Sequence, residues 1–506
     1  MNFLLFKIIS LCLKQCALTI LLGRSLQNSP QEKNPEINKK NQDPLNRGIP
    51  KVRSGSGIIV LGAPVGYEAF VREALHDRTE KVRQSTELLP LLQDPHCEFV
   101  LLRSCLATPK VMFMLRALDT SQLGNLLDEF DGITRGALSK ILGTPVSDIQ
   151  WEQAKLPAAM GGLGLRSASD HGPLAFATSL LSAQPLVKGL LGAGDTDQAI
   201  SLPQHLLDSI SATARQGEPA STESLEGVTQ KMASLKVDLS NQSSLLNHFN
   251  AEGNTREIAR MASLGLPHAS DWLSVCPSPA LGLHLRGPEF ILALKYRLGV
   301  PLYGSDGDCP ACHQPSDQMG DHALSCAQYG DRIARHNLLR DIIFETAASA
   351  ALAPSREGRH LLPGRVARPA DVLLPRWSDG KDTALDVTVT SSLASSHVVG
   401  AAANAGSALE KAYDRKVQGA AEACRQQGLA FVPLALEALG GFHRVTVRQV
   451  KMLATALARH TGQEEGEATR HLFQRLSLGL MRGNAALLVS RGPDGDHPPG
   501  EVDGVA

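Results

Sequence analysis

Apolar residues recur at helical spacing through most of the chain, which predicts a largely helical protein. Two helices are predicted over residues 99–118 and 123–142, with Pro109 interrupting the first and Gly143 ending the second. A less regular helical stretch follows over residues 195–300.

The pattern changes after Cys309, where polar positions, short apolar runs and long helices alternate. Two short strands flank the Asp379–Gly380 dipeptide, which is a strong hairpin signal. A long helix is predicted over residues 398–427, followed by a buried-type strand, AFVPLALE, at residues 430–437. These elements predict a multidomain α+β protein whose last part is an α/β domain.

Both ends of the chain differ from this folded pattern. Residues 1–22 are apolar, but Lys7 and Lys14 interrupt the run, so no stretch of about eighteen uncharged apolar residues exists for a membrane span. A signal or anchor segment and an amphipathic start are the two interpretations of this segment. Residues 27–56 are polar with almost nothing to bury, and we expect a disordered linker there and a disordered tail at the other end.

Composition limits the class of protein. Of 506 residues, 50 are Lys or Arg and 51 are Asp or Glu, so the chain is not basic as a whole and any basic surface must be local. An aromatic content of 4% argues against a sheet that reads single strands by base stacking. The nine cysteines are scattered apart from one tight cluster, which is typical of a reduced, intracellular protein with one metal site.

Three cysteines and one histidine form the pattern C-x2-C-x9-H-x3-C within eighteen residues; they are Cys309, Cys312, His322 and Cys326. A C-x2-C turn directs two thiolates at one zinc ion, and a His and a Cys four residues apart give two further ligands from one helical turn. The region is too polar to form its own core, which favours zinc over unrelated thiols. His313 could replace His322 only with strained geometry. We expect a closed, structural zinc site.

Two aspartates lie on the strands of the predicted hairpin. If Asp379–Gly380 is a two-residue loop, residue 371 pairs with 388, and Asp371 and Asp386 become diagonal neighbours on one face. Their Cβ atoms would then lie about 7 Å apart, close enough for both carboxylates to bind the same Mg²⁺. The alternative is that they cap local backbone or form ion pairs with Arg365, Arg368 or Lys381.

Several motifs occur in an order that resembles the C-terminal part of non-LTR retrotransposon proteins, which carry a zinc knuckle followed by a restriction-like endonuclease. They lie between about residues 285 and 445 and are GDHALSC, RHN, RPAD, ALDVTV and FVPLALEALGG. Upstream, VLGAPVG, LLRSCLATPKVMFMLR and LPAAMGGLGLRSA resemble the thumb region of a reverse transcriptase. The chain contains no Asp-Asp pair, so we expect it to lack the polymerase palm and not to polymerise as it stands.

The resemblance implies a nuclease of the PD-(D/E)xK class, in which acidic residues and a lysine surround Mg²⁺ or Mn²⁺. By this resemblance Asp371 in RPAD is the first metal ligand and Asp386 in ALDVTV is the second. Thr388 stands where the class has its lysine, so the positive group must come from elsewhere. Lys416 on the following helix is the first choice and Lys411 the second, with an ordinary solvated helix face as the alternative.

Further candidates lie on or after the helix that RHN opens. Glu345 could reach the metal ions, as glutamates on the first helix of such nucleases do, and Glu357 is its rival. His336 could bond a phosphate, although a buried histidine that orders the helix start is the favoured interpretation.

Pattern and resemblance together divide the chain into consecutive segments. They are an apolar start and linker (1–56), a helical thumb-like region (57–190), a helical connector (191–304), a zinc knuckle (305–330), a restriction-like endonuclease domain (331–445), C-terminal helices (446–487) and a disordered tail (488–506).

The expected function is that of a retroelement-derived, Mg²⁺- or Mn²⁺-dependent DNA endonuclease that nicks a target strand. The alternative is a catalytically inactive remnant that binds nucleic acid, which the absence of a lysine at Thr388 favours. The resemblance implies DNA and element RNA as partners, no small-molecule substrate, no membrane and a location in the nucleus. The DNA target and the oligomeric state do not follow from the sequence.

Overall fold

The computed structural model describes residues 57–492 apart from 122, 192–201, 215–220, 226, 329 and 358–369. The predicted start and linker, most of the predicted tail, and Arg365 and Arg368 lie outside these residues. The protein is mixed α/β and 63% helical with small sheets, so the predicted mixture of helices and strands is confirmed. Within the described part, none of the helices has the length and hydropathy needed to cross a membrane.

The described chain divides into two compact units, each discontinuous in sequence. The first comprises the residues up to Leu88, Leu102–Ala137 and Leu165–Asn241, and the second comprises Leu89–Leu101, Leu138–Gly164 and the residues from Gln242 onward. The segments predicted as zinc knuckle, endonuclease domain and C-terminal helices all lie in the second unit.

Helices dominate the described residues before position 304. The elements there are β1 (Ile58–Val60), β2 (Ala63–Val65), α1 (Glu68–Glu87), α2 (Pro95–Leu101), α3 (Met112–Ala117), α4 (Gly124–Leu142), α5 (Asp148–Lys155), α6 (Ala168–Leu191), α7 (Gln204–Ala214), α8 (Thr222–Leu225), α9 (Gln230–Ala251), α10 (Thr255–Leu264) and α11 (Gly287–Leu298).

The two helices predicted near residue 100 and residue 130 have different outcomes. Helix α4 agrees with the prediction for 123–142. The stretch 99–118 is broken more than expected, because a π-helical turn at Leu102–Leu106 and a 3₁₀ turn at Thr108–Lys110 separate α2 from α3. Pro109 lies in the 3₁₀ turn, where its missing N–H and fixed φ are tolerated.

Six of the eight strands in the described residues lie after residue 304. The elements there are β3 (Gly307–Asp308), β4 (Pro315–Ser316), α12 (Asp321–Ser325), α13 (Asp331–Ser349), β5 (Ser355–Arg356), β6 (Val372–Ser378), β7 (Lys381–Thr390), α14 (Val398–Ala403), α15 (Ser407–Gln426), β8 (Ala430–Glu437), α16 (Arg444–Thr461) and α17 (Glu465–Ser490).

A mixed sheet in the order β5-β6-β7-β8 positions most of the candidate site residues. The first three strands are antiparallel, and β7 runs parallel to β8 along its length from Thr383 to Thr390. The parallel pair needs a crossover connection, which α14 and α15 supply. Strand β7 is buried from Thr383 to Thr388 and at Thr390, because helices α13 and α15 both contact it.

The β6–β7 register differs from the prediction. The pair Ser378 and Lys381 flanks the Asp379–Gly380 turn as predicted, but Val372 lies opposite Leu385 instead of residue 387. The shift arises at a bulge between Leu374 and Ser378, where proline cannot donate to the ladder and Arg376 has a left-handed φ of 49°. The predicted pairing of 371 with 388 is therefore wrong by two residues, and the separation derived from it does not apply.

Two helices near the C-terminal end differ from their predicted bounds. The helix expected over 398–427 is divided into α14 and α15, because Gly406 adopts a left-handed φ of 82° between them. Helix α17 continues to Ser490, beyond the predicted limit of 487, and the Arg491 side chain after it is fully buried.

Helix α17 packs against α13 and α16, the helices on either side of the sheet in the sequence. It packs closely on α13, and a side chain at Gly483 is excluded because its Cβ would lie 2.5 Å from Arg335 Cγ. Arg335 is buried and donates to Asn484 Oδ1 at 2.8 Å, while Asn484 donates to the Ala438 carbonyl at 2.7 Å. These contacts fix the start of α13, and therefore His336, relative to the sheet.

Candidate functional site

The structure brings the four predicted zinc ligands together. The short β3–β4 hairpin presents the two ligands of the C-x2-C turn, and α12 presents His322 and Cys326. The ligand atoms of all four residues lie within 4.8 Å of one another, with 3.9 Å between Cys309 Sγ and Cys326 Sγ and 3.2 Å between Cys312 Sγ and His322 Nε2. Two thiolates on a tetrahedral zinc lie about 3.8 Å apart, since each Zn–S bond is about 2.3 Å. The cluster could hold a metal ion.

Local hydrogen bonds hold the histidine side of this cluster. The Asp317 carboxylate accepts from the Asp321 N–H at 2.9 Å and from the His322 N–H at 2.8 Å, which caps the first turn of α12. Burial lowers the pKa of His322, and the nearby Arg491 guanidinium lowers it further, against the opposing effect of Asp317. The imidazole is therefore neutral at physiological pH, which is the form that binds metal.

Arg491, the residue after α17, binds the segment that follows the last ligand of the cluster. Arg491 donates to the Cys326 carbonyl at 3.3 Å, to the Gln328 carbonyl, and to Asp331 Oδ2 at 3.1 Å. His313, the alternative ligand, lies in the left-handed region with φ 56° and is not a member of the cluster.

Asp371 lies immediately before β6 and is held by two donors. Its Oδ2 accepts from the Val387 N–H at 2.6 Å and contacts His336 Nε2 at 2.9 Å. The hydrogen bond to Asp371 raises the pKa of His336 above its usual value, although burial of the imidazole acts in the opposite direction. The helix start and the sheet are therefore joined by a histidine–carboxylate pair.

Asp386 lies in the middle of β7 and pairs with the lysine that the sequence ranked first. Lys416 Nζ lies 2.8 Å from Asp386 Oδ2, and the Asp386 side chain is only 10% exposed. That oxygen is buried and accepts no hydrogen bond of normal geometry, so the ammonium is its one close partner among the described residues. Burial raises the pKa of Asp386; the Lys416 charge opposes the shift, and the Asp371 charge adds to it.

A cleft of about 510 Å³ connects these groups, and its lining carries an excess of positive charge. Asp371, Thr388 and Lys416 all line it. Its cationic lining residues are Arg332, Arg335, Arg340 and Lys416, against the carboxylates of Asp371 and Glu357. An anionic ligand would enter this cleft more readily than a neutral one.

The structure does not bring Glu345 or Lys411 into this cleft. Glu345 is exposed and pairs with Arg475 at 3.0 Å, because it lies nine residues after His336 on α13 and so about 180° around the helix. Glu357 lines the cleft instead, with its carboxylate on Arg340 at 2.7 Å. Lys411 is exposed on α15 and lies beside Gly400.

Sequence reasoning did not single out Arg340, and it treated His336 mainly as a residue that orders a helix. Arg340 follows His336 by one helical turn on α13, so both side chains face the sheet. This spacing is the signal that identifies the pair, once α13 is known to pack with RHN toward β6 and β7.

Comparison with known proteins adds no family to these observations. No protein-family model matches the sequence, and no curated protein matches it.

Proposed function

We propose that the protein is a Mg²⁺- or Mn²⁺-dependent DNA endonuclease of the restriction-like class, derived from a non-LTR retroelement, that nicks one strand of its target. The observation that carries this proposal is that the lysine of a cleft lined by one candidate aspartate forms an ion pair with the other. Asp371 and Lys416 line it, and Lys416 Nζ lies 2.8 Å from Asp386. The order of motifs in the sequence supports the same conclusion.

The carboxylates fit a divalent cation of the magnesium type. Asp386 Oδ2 is a buried carboxylate oxygen whose close contact is the Lys416 ammonium, which a divalent cation could replace. Asp371 is held in place through Oδ2 alone by its two donors. When bound, Mg²⁺ would supply a water of lowered pKa and neutralise charge that develops on the phosphate.

The remaining chemistry comes from side chains of the chain itself. Lys416, released from Asp386, would hold a phosphate oxygen or orient the attacking water. Arg340 and Arg332 add positive charge along the cleft, where the phosphodiester backbone would lie. His336 keeps Asp371 oriented through the 2.9 Å contact. On this proposal the partners are DNA and element RNA, and the protein acts in the nucleus.

We propose zinc as the metal of the Cys309–Cys326 cluster, because three thiols and one imidazole are ligands that tetrahedral zinc prefers. Such a site leaves no open position for substrate, so its role would be structural.

One observation favours a second function, that of an inactive nucleic-acid-binding protein. Each carboxylate already has a side-chain partner, His336 for Asp371 and Lys416 for Asp386, and Thr388 offers no ammonium. A cleft whose carboxylates are already paired, and whose other charged lining residues are mainly basic, would bind a polyanion without holding a metal.

A plasmid-nicking assay tests the proposal. Wild-type protein loaded with zinc should convert supercoiled plasmid to nicked circles with Mg²⁺ or Mn²⁺. Asp386→Asn should lose at least about 100-fold in rate, because an amide is a poor ligand for a hard cation and places no charge beside the phosphate. DNA binding by this variant at low salt should persist or become tighter.

Melting temperature and zinc content of Asp386→Asn serve as the controls. Burial raises the pKa of Asp386, which means that the fold disfavours the ionised carboxylate. Replacing it with a neutral amide should therefore not destabilise the fold at neutral pH. If both proteins bind DNA equally and neither nicks it, the nuclease proposal is wrong and the inactive binding protein is the better account.

A further inference from the structure

A second cleft lies along helix α16, and every charged residue that lines it is basic. It has a volume of about 580 Å³ and is bordered by the bulged end of strand β6. Its basic residues are Arg444, Arg448, Lys451 and Arg459. No acidic side chain lines it, although the whole chain carries as many acids as bases within one charge.

The four cations follow the helical repeat. They stand at spacings of four, three and eight residues, so they project from one face of α16 over about 22 Å of its length. The helix contains no Asp or Glu, and its first turn begins with Arg444, where the helix dipole disfavours positive charge. Arg444 and Arg448 also repel each other at the i, i+4 spacing. This arrangement destabilises the isolated helix and produces a strongly positive groove.

The floor of the cleft is apolar and contains a fixed aromatic ring. Trp377 lines it beside Met452 and Val447. The indole N–H donates to Gln449 Oε1 at 2.7 Å, which holds the ring in one orientation. The bulge in β6 places this tryptophan against α16, because Arg376 before it adopts a left-handed conformation. An indole held in one orientation, in a cleft that four cationic side chains also line, is a platform on which a base can stack.

We infer that this cleft binds single-stranded nucleic acid, with phosphates on the cationic face of α16 and a base against Trp377. A duplex would offer phosphates to the arginines but keeps its bases stacked inside, so it would leave the apolar floor uncovered. The cleft is separate from the one that Asp371 and Lys416 line, since Arg444, Lys451 and Trp377 do not border that cleft. The inference does not require that the carboxylate cleft cuts DNA.

Fluorescence anisotropy with a labelled thymidine strand of roughly 15 nucleotides tests the inference. It is performed on full-length, zinc-replete protein without added Mg²⁺ or Mn²⁺, so that cleavage plays no part. The double variant Arg448→Ala, Lys451→Ala should bind at least about tenfold more weakly, and the slope of log K against log salt should fall by about 1.4. A matched uridine strand measures whether RNA is preferred.

Lys231→Ala, Lys236→Ala is the matched control, because it removes the same charge from exposed positions on α9. This control should bind the strand within about twofold of wild type, since exposed charges that do not line the cleft are screened by salt at moderate ionic strength. Equal loss in the control and in the α16 variant would show a general charge effect and overturn the inference.

Substitutions of Trp377 distinguish the contribution of base stacking to the affinity from the contribution of charge. Trp377→Leu should weaken strand binding by about fivefold or more with an unchanged salt slope, and Trp377→Phe should retain most of the affinity. Wild-type affinity in Trp377→Leu, or a defect of the α16 variant for duplex alone, would contradict binding of a single strand. If Trp377→Leu fails to fold by circular dichroism, the α16 double variant still decides the result.

Discussion

The cysteine–histidine cluster and the carboxylate cleft are both built around metal-ligand residues, but their surroundings differ. The cluster takes its donors from eighteen consecutive residues, and their ligand atoms lie within 4.8 Å of one another. The cleft draws on α13, β7, α15 and the residues just before β6, and the two candidate aspartates are paired with His336 and Lys416. A local ligand set can be identified from spacing alone, whereas a set assembled by tertiary structure also acquires partners that compete with the metal.

The largest expected effect concerns the cluster. Wild-type protein should contain one zinc per chain, and Cys312→Ser should lose most of it, because binding energies of about 10 kcal/mol or more in structural sites depend on all four ligands. The knuckle should unfold locally while the helices before residue 300 keep their far-UV circular dichroism. Metal analysis by mass spectrometry gives the zinc content, and full retention of zinc in the variant would contradict the site.

The next effect distinguishes the two lysines of α15. Lys416→Ala should slow plasmid nicking by about 100-fold, since it removes the ammonium beside Asp386. Lys411→Ala is the matched control and should change the rate by less than about twofold, because its side chain lies beside Gly400 and lines no part of the cleft. Equal rates in the two variants would show that the pairing of Lys416 has no catalytic meaning.

Much of this contrast was predictable from the sequence. The zinc ligands follow from spacing, and the preference for His322 over His313 agrees with the cluster in the structure. The hairpin at Asp379–Gly380, helix α4 and strand β8 also follow from local signals. These features depend on turn chemistry and periodicity, which nearby residues determine.

Other features depend on tertiary contacts, which local sequence patterns do not predict. The β6–β7 register shifts because Pro375 cannot donate to the ladder and Arg376 lies in a bulge, whereas the turn at Asp379–Gly380 alone predicts an unbroken ladder. The sequence predicts the helix that carries Glu345, but the carboxylate lies about 180° around that helix from His336 and pairs with Arg475. The pairing of His336 with Asp371 requires knowledge of how α17 supports α13, which no local pattern contains.

The smallest effect is the pH dependence of the histidine–carboxylate pair. Since the folded pKa of His336 is raised, its contribution to stability is fully present below the unfolded pKa of about 6.5 and is lost as pH rises through the folded pKa. His336→Gln should therefore lose about 1 kcal/mol of unfolding free energy near pH 5.5 and less near pH 9.

Urea unfolding at both pH values provides the measurement, and His76→Gln, at an exposed position on α1, is the control. A loss of equal size at both pH values would show that the charge of the imidazolium does not matter to the pair.

Binding of Mn²⁺ measured by electron paramagnetic resonance tests the central claim most directly, because it reports on the carboxylate cleft without requiring turnover. Zinc-replete wild-type protein should bind Mn²⁺, and Asp386→Asn should lose that binding while its zinc content stays the same. Identical Mn²⁺ titrations of the two proteins would contradict the claim that Asp371 and Asp386 form a catalytic metal site.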